Sequence, residues 1–164
     1  MKSFINISVI GAGLMGHGIA LKFAQFGKSI TVHDTNLENL NSLPKRIKSS
    51  MKQMGMSNLE INKTLKFIKV SSDLKKSVAN ADFVIEAIPE KLELKQKMFS
   101  SIEGFVSPKC IISSNTSVIP ITKIVDKVKD KSRCLGTHWW NPPHLIPLVE
   151  VIKTRWTKEI VIKS

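Results

Sequence analysis

His138 is the residue of this sequence best suited to acid–base chemistry, because an imidazole exchanges its proton near neutral pH. It ends one apolar segment, and Glu150 lies in the next. A carboxylate there can accept the second ring N–H and stabilise the imidazolium. We therefore interpret His138 as a general base that takes a proton from an alcohol as hydride leaves, with Glu150 as its partner. For a lone histidine, a structural role is the alternative.

Further polar residues follow the apolar segments on either side of His138. Ser117 and Glu90 each come shortly after a predicted strand, and Asn141 follows His138 itself. Because the carboxyl ends of parallel strands meet at one edge of a sheet, these residues predict a single site. Ser117 and Asn141 are candidates to hold a substrate oxygen. Glu90 and Lys95 are candidates to meet a cofactor ribose, and their alternatives are a helix-start carboxylate and a solvated lysine.

The N-terminal segment has the glycine spacing of a dinucleotide-binding turn, Gly11-x-Gly13-x-x-Gly16. The first glycine permits a tight turn, the second lets a pyrophosphate approach the backbone, and the third lets a helix pack closely on the strand. The phosphates would lie on free N–H groups at the helix N-terminus. Leu14 and Met15 are therefore expected cofactor contacts as well.

Asp34 directly follows a second predicted strand, Ser29–His33, and lies 18 residues after Gly16. A carboxylate in this place binds the ribose hydroxyls of NAD and repels the 2′-phosphate of NADP. The pattern therefore predicts NAD as the cofactor. The alternative is a strand, turn and helix without a ligand, in which Asp34 caps the end of the strand.

Strands and helices alternate through the whole sequence. This alternation predicts an α/β fold with a Rossmann-type doubly wound, mostly parallel sheet, as one domain over residues 1–164. Beyond the second strand, five further strands are predicted, at 66–70, 82–88, 110–114, 133–139 and 148–152. Helices are predicted at 36–54, 59–65, 73–79, 91–105 and 120–128. Pro44 indicates a break or a new helix start within 36–54, and Thr157 is a candidate cap for a short last helix.

The remaining histidines and the tryptophan pair are not predicted to take part in the reaction. His17 is expected to pack at the start of the first helix, and His33 to line an adenosine pocket. His144 lies between prolines and is expected at a loop surface or at the substrate rim. Trp139 and Trp140 are expected to pack rather than stack on a ligand.

The 164-residue chain has a formal net charge of +12. Residues 44–76 hold nine Lys or Arg and two acids, which predicts either a solvated lysine-rich face or attraction of a phosphorylated ligand. No nucleic-acid motif accompanies this charge, so a nucleic-acid partner is not expected. Cys110 and Cys134 lack metal-ligand spacing and indicate a reduced, cytoplasmic protein without a metal. No apolar segment is long enough to predict a membrane span.

These motifs, in this order, resemble the NAD-binding domain of the L-3-hydroxyacyl-CoA dehydrogenases over nearly the whole chain. The matching segments are 11–20, Asp34, 84–90, 114–117, and 138–143 through 148–151. The resemblance implies NAD-dependent oxidation of a 3-hydroxyacyl-CoA to the 3-oxoacyl-CoA, or the reverse reduction. Such an activity belongs to fatty acid metabolism.

The resemblance also implies roles for individual residues. His138 matches the catalytic base of the family and Glu150 its partner. Ser117 and Asn141 match residues around the substrate oxygen. The residues that match cofactor contacts are Asp34, Glu90, Lys95 and Asn115.

The sequence departs from the family in two respects. Trp139 and Trp140 stand where two Phe usually follow the histidine, and residues 141–147 also resemble relatives that oxidise hydroxy or sugar acids, such as the lambda-crystallin and gulonate dehydrogenase branch. The family's helical second domain is absent from these 164 residues. We therefore expect a homo-oligomer or a partner helical domain, with Lys48 or Lys52 meeting CoA phosphates. The alternatives are a dehydrogenase of non-CoA acids and a non-catalytic NAD-binding module.

Overall fold

Seven strands and seven α-helices alternate along residues 4–164, the part of the chain that the computed structural model describes. Residues 1–3 of the predicted domain lie outside it. The strands are β1 (Asn6–Ile10), β2 (Ser29–His33), β3 (Ile68–Ser71), β4 (Phe83–Glu86), β5 (Ile111–Ser114), β6 (Cys134–Trp139) and β7 (Val149–Ile152). The helices are α1 (Leu14–Gln25), α2 (Leu37–Gln53), α3 (Asn58–Leu65), α4 (Leu74–Val78), α5 (Leu92–Glu103), α6 (Ile121–Ile124) and α7 (Glu159–Ile162).

The strands form one sheet in the order β3-β2-β1-β4-β5-β6-β7. The first six are parallel, and β7 runs antiparallel to β6. The chain order reverses direction between β1 and β4, where doubly wound sheets open a crevice for a ligand. The predicted Rossmann-type fold is confirmed.

Helices cover both faces of the sheet, so the central strands are apolar on both sides. Ile7 and Val9 of β1 face a core that α1, α2 and α3 close, whereas Ile10 faces a second core that α5 and α6 close. The two cores hold the carboxyl ends of β1, β4, β5 and β6 in a fixed arrangement. No helix of residues 4–164 has the length and apolar character needed to cross a membrane.

Helix α2 continues through Pro44 without a break, so the predicted break is wrong. Asn36 caps its start through hydrogen bonds from two backbone amides. Leu40, Leu43 and Ile47 are buried on its inner face. This packing outweighs the hydrogen bond that a proline cannot donate.

Two predicted helix boundaries also differ from the structure. The helix that follows Pro120 spans only Ile121–Ile124 rather than reaching residue 128, and Pro120 is its N-cap. The N-cap of α7 is Lys158, not Thr157. The Thr157 hydroxyl instead donates to the backbone oxygen of Cys134 at 2.7 Å, which joins the chain end to β6.

Candidate active site

The glycine turn after β1 is shaped by steric limits at two of its glycines. Gly11 has a φ of +106°, and a Cβ there would lie 2.6 Å from the backbone oxygen of Ala87, the residue after β4. A Cβ on Gly16 would lie 1.7 Å from the backbone oxygen of Gly11, so no side chain fits. A Cβ on Gly13 would meet nothing within 4 Å, so this side of the N-terminus of α1 is open to an approaching phosphate.

A cavity of about 540 Å³ opens beside this turn, at the reversal point between β1 and β4. Five of the predicted cofactor residues line it: Gly11, Gly13, Leu14, Met15 and Asp34. Its opposite wall is formed by residues 87–89. His33 lines it as well, as predicted, and its ring Nδ1 lies 3.1 Å from the Ser71 backbone oxygen. The cavity therefore joins the glycine turn to the end of β2.

The carboxylate of Asp34 is fixed by three donors. It accepts hydrogen bonds from the Ala12 and Asn36 amides, both at 2.8 Å, and from Asn39 Nδ2 at 3.2 Å. A carboxylate held at the rim of the cavity fits the ribose hydroxyls of NAD, and the neighbouring glycine turn at the start of α1 fits its pyrophosphate. The alternative in which Asp34 only caps a strand does not account for the open cavity.

Arg46 holds the same turn through hydrogen bonds to its backbone oxygens, a role that the sequence did not predict. Its Nη2 donates to the backbone oxygens of Ala12 at 2.5 Å and Asn39 at 2.9 Å, and its Nη1 to Gly13 at 3.3 Å. Burial lowers the pKa of the guanidinium, and the Asp34 carboxylate opposes that shift. The only available signal was its type: Arg46 is the single arginine among the lysines of residues 44–76.

The second group of site residues gathers around His138. Its Nδ1 lies 2.6 Å from Glu150 Oε2, and its Nε2 lies 3.1 Å from Ser117 Oγ. His138 and Glu150 face each other because they are directly paired in the antiparallel β6–β7 ladder. The imidazole is partly exposed, so a substrate can reach it. Asn141 begins the loop after β6 and, within the described residues, has no hydrogen bond to these three side chains.

Glu90 connects this group to a buried lysine. One carboxylate oxygen accepts from the backbone amides of Ser117 at 3.0 Å and Val118 at 3.2 Å, and from the Thr116 hydroxyl. The other oxygen lies 3.1 Å from Lys95 Nζ. Burial tends to raise the pKa of Glu90, but these donors and the lysine charge outweigh it and lower the pKa. Lys95 is 1% exposed, so its alternative as a solvated lysine is wrong.

Asn115 and the two tryptophans complete the wall of the site. Asn115 Oδ1 accepts from the Trp139 amide at 2.9 Å, which joins the ends of β5 and β6. Trp139 packs edge-on against Phe23 of α1, with the ring centroids 5.5 Å apart, as its packing role predicted. Trp140 is about half exposed, and its ring centroid lies 6.1 Å from that of His138. A direct contact of Glu90, Lys95 or Asn115 with the cofactor stays a prediction.

The loop after β6 packs against the first helix through a pair of histidines. His17 is buried as predicted, with its ring nitrogens bonded to the Leu14 oxygen at 2.7 Å and to Ser50 Oγ at 3.2 Å. His144 is buried too, so its predicted place at a loop surface is wrong. Its ring centroid lies 5.5 Å from that of His17, and the neighbouring Pro143 lies on Gly18, where a Cβ would meet it at 2.6 Å. Burial lowers the pKa of both histidines.

Comparison with known families gives the decisive match. The model of the 3-hydroxyacyl-CoA dehydrogenase NAD-binding domain matches residues 6–164. The chain belongs to this family. NAD is therefore the cofactor of this domain.

The relatives of this NAD-binding domain are longer proteins. A glyoxysomal fatty acid β-oxidation multifunctional protein, MFP-a of Brassica napus, is 35% identical over 161 residues, which cover 96% of this chain and 22% of that protein. A probable 3-hydroxyacyl-CoA dehydrogenase of Caenorhabditis elegans is 35% identical over 163 residues, which cover 94% of this chain and 53% of that protein. The chain thus spans about half of one relative and about a fifth of the other.

A solved structure shows the same architecture. The crystal structure of 3-hydroxybutyryl-CoA dehydrogenase from Escherichia coli K12 superimposes with a TM-score of 0.92 at 31% identity, covering 99% of this chain and 35% of that one. The single-domain Rossmann arrangement of residues 4–164 is thus the arrangement of a dehydrogenase's NAD-binding domain.

No cluster of three or more His, Cys, Asp or Glu in those residues is arranged to hold a metal ion.

Proposed function

We propose that the chain is the NAD-binding and proton-transferring domain of an NAD-dependent 3-hydroxyacyl-CoA dehydrogenase. One observation carries the proposal. His138 contacts Glu150 through Nδ1 and Ser117 through Nε2, and this group lies at the same edge of the sheet as the cavity beside the glycine turn. Relatives that are named hydroxyacyl-CoA dehydrogenases support the substrate class.

In the proposed reaction, His138 acts as the general base. Its Nδ1–H donates to Glu150, which leaves Nε2 as the acceptor for the proton of the substrate hydroxyl. As that O–H bond breaks, the carbon loses its hydrogen as hydride and the C=O bond forms. NAD, when bound, supplies the hydride acceptor. Glu150 stabilises the imidazolium, and Ser117 and Asn141 hold the substrate oxygen.

The substrate and partners of the proposed enzyme follow from charge and from the length of the relatives. Lys48 and Lys52 are exposed on α2, in the basic segment 44–76, and we assign them to the phosphates of CoA. A helical partner domain, or a homo-oligomer that supplies one, completes the substrate site. We retain a cytoplasmic location in the proposal, since Cys110 and Cys134 are buried thiols and burial raises the pKa of Cys134 to about 12.

The test compares the wild-type chain with His138→Ala, each alone and joined to the helical domain of a relative. NADH formation from 3-hydroxybutyryl-CoA is followed by absorbance, and NAD affinity by calorimetry. Loss of the base should lower kcat by about 10² to 10⁴-fold. NAD affinity should stay unchanged, because His138 does not line the cavity.

Two results would contradict the proposal. Oxidation of free hydroxy or sugar acids with inert CoA thioesters would assign the chain to a non-CoA dehydrogenase. Tight NAD binding with no turnover of any substrate, even with the helical domain joined, would leave only an NAD-binding module.

A further inference from the structure

The most deeply buried charges of residues 4–164 lie outside the proposed mechanism. Glu86, the last residue of β4, is 0% exposed, and Lys95 in α5 is 1% exposed. Their charged atoms are 2.6 Å apart. Burying such a pair is costly in desolvation, and a well-packed apolar pair often stabilises a fold at least as well. Stability alone is therefore a weak reason for this pair.

Glu86 has a full set of donors that fixes its orientation. Besides Lys95, one oxygen accepts from the Ile88 amide at 2.8 Å, and the other from the Ser114 hydroxyl at 2.6 Å. Burial raises the pKa of Glu86, and Lys95 is the foremost group opposing that shift. The carboxylate thereby ties the end of β4 to the end of β5 and to the wall of the NAD cavity.

Lys95 has no donor left for a ligand. An ammonium group has three N–H donors. Those of Lys95 reach Glu86 Oε1 at 2.6 Å, Glu90 Oε2 at 3.1 Å and the Ile88 backbone oxygen at 3.3 Å. The three acceptors lie between Glu86, the last residue of β4, and the start of α5. The lysine thus holds this part of the chain with all three of its donors.

The chain of contacts continues from Lys95 to the base. Glu90, whose second oxygen lies 3.1 Å from Lys95 Nζ, accepts the Ser117 amide at 3.0 Å. The Ser117 hydroxyl lies 3.1 Å from His138 Nε2. If Glu86 lost its charge, Lys95 would keep Glu90 as its only anionic partner and draw it inward. Glu90 would then move away from the Ser117 amide.

We propose that Glu86 and Lys95 are positioning residues that hold Glu90, and through it the Ser117 hydroxyl, against His138 Nε2. The proposal rests on the proposed function for the meaning of His138 as a base, but not for its geometry. It gives the buried pair a role in the arrangement of the catalytic group.

The experiment measures the ¹⁵N chemical shift of His138 Nε2 in labelled full chains of wild type, Ser117→Ala and Glu86→Gln. Ser117→Ala removes the hydroxyl, so the change in chemical shift that it causes gives the reference size and direction for losing this contact. Glu86→Gln should move the signal in the same direction by at least half as much. NAD affinity, measured by calorimetry, should fall less than tenfold.

Glu103→Gln is the matched control. Glu103 is also a largely buried carboxylate, which accepts the Lys129 and Asp130 amides at 2.8 Å and lies 3.9 Å from Arg133. It ends α5, so it lies at the opposite edge of the sheet from His138. Its loss should lower the melting temperature without moving the His138 signal.

An unchanged His138 signal in folded Glu86→Gln would overturn the proposal. If Glu86→Gln does not fold, the double variant Glu86→Gln, Lys95→Met removes both charges and takes its place, with the same expected shift. The readout needs no turnover. A shifted signal, in a chain that shows no turnover even when joined to the helical domain, therefore refutes only the dehydrogenase, whereas turnover with an unshifted signal refutes only the positioning role.

Discussion

The cofactor half of the molecule, residues 4–82 together with the cavity wall at 87–89, and the catalytic half, the remainder of residues 83–164, are built by different means. The cofactor half presents backbone: a left-handed Gly11, a Gly16 without room for a side chain, and amides that hold Asp34. The catalytic half presents side chains that hold one another. Its linked members are Glu86, Lys95, Glu90, Ser117, His138 and Glu150.

This difference determines how each half fails. A backbone turn depends on space within a few residues, so a single added methyl group can destroy it. A side-chain network depends on several strand ends, so the loss of one member should disturb the chemistry while the fold survives. The two halves can therefore be disrupted separately.

The largest effect is expected in the cofactor half, from Gly16→Ala. Its new Cβ would lie 1.7 Å from the Gly11 oxygen, so the turn has to move. We expect the free energy of unfolding to fall by about 2–4 kcal/mol and NAD binding to be lost, measured by urea denaturation and calorimetry. Gly104→Ala, whose Cβ would make only ordinary contacts from 3.5 Å, should change stability by less than about 0.5 kcal/mol. Unchanged NAD binding by Gly16→Ala would contradict the steric argument.

Glu150→Gln should impair the chemistry of the catalytic half without affecting the cofactor half. The amide keeps the size of the carboxylate but no longer stabilises an imidazolium, so kcat should fall by about 10²-fold in the chain joined to a helical domain. NAD affinity should stay the same. Glu159→Gln, which removes a carboxylate of an exposed pair with Lys163, is the control and should leave kcat unchanged. A parallel loss of NAD binding would show that the halves are not independent.

A smaller effect is expected from Asp34→Asn, which tests side-chain selectivity within the cofactor half. The amide accepts a ribose hydroxyl less strongly and no longer repels a 2′-phosphate. The Kd for NAD should rise by about tenfold, and the Kd for NADP by less, both measured by calorimetry. Asp126→Asn, at an exposed position, should change neither. Equal weakening for both cofactors would contradict the assignment.

The smallest effect concerns pH and the contact between the halves, where His17 meets His144. Burial lowers the pKa of both below the ordinary value of 6.5. Arg46 and the His144 imidazole further lower the pKa of His17, and Lys22 further lowers that of His144. The unfolded chain therefore binds more protons near pH 6, and stability should fall as the pH drops through 6.5. His33, whose pKa burial also lowers, adds to the same slope.

Urea denaturation at pH 7.5 and 5.5 measures this slope. His144→Gln removes one of the titrating groups, so the loss of stability between the two pH values should shrink. An equal loss in this variant and in wild type would show that His144 does not contribute.

The contrast between the halves also explains what the sequence could predict. The glycine spacing, Asp34 and the alternation of strands and helices are local patterns, and the structure has them where they were expected. The pairing of His138 with Glu150 was predicted from neighbouring strands, and the antiparallel register fulfils it. These features depend on short stretches of chain.

The features that were missed depend on long-range packing. His144 was expected at a loop surface because it lies between prolines, yet its imidazole packs against His17 of α1. Lys95 was expected in solvent because lysine usually is, although it lies four residues before Phe99 on the buried face of α5. A lysine at the buried register of a helix was the signal that could have revealed the ion pair with Glu86.

The contact of Gly18 with Pro143 has a consequence for biosynthesis. These residues lie far apart in the sequence, so a ribosome delivers helix α1 long before the loop that covers it. The strands and helices between them can begin to assemble during this interval. Helix α1 nevertheless keeps an uncovered glycine face until the proline loop emerges, and this contact forms only after that loop has been translated.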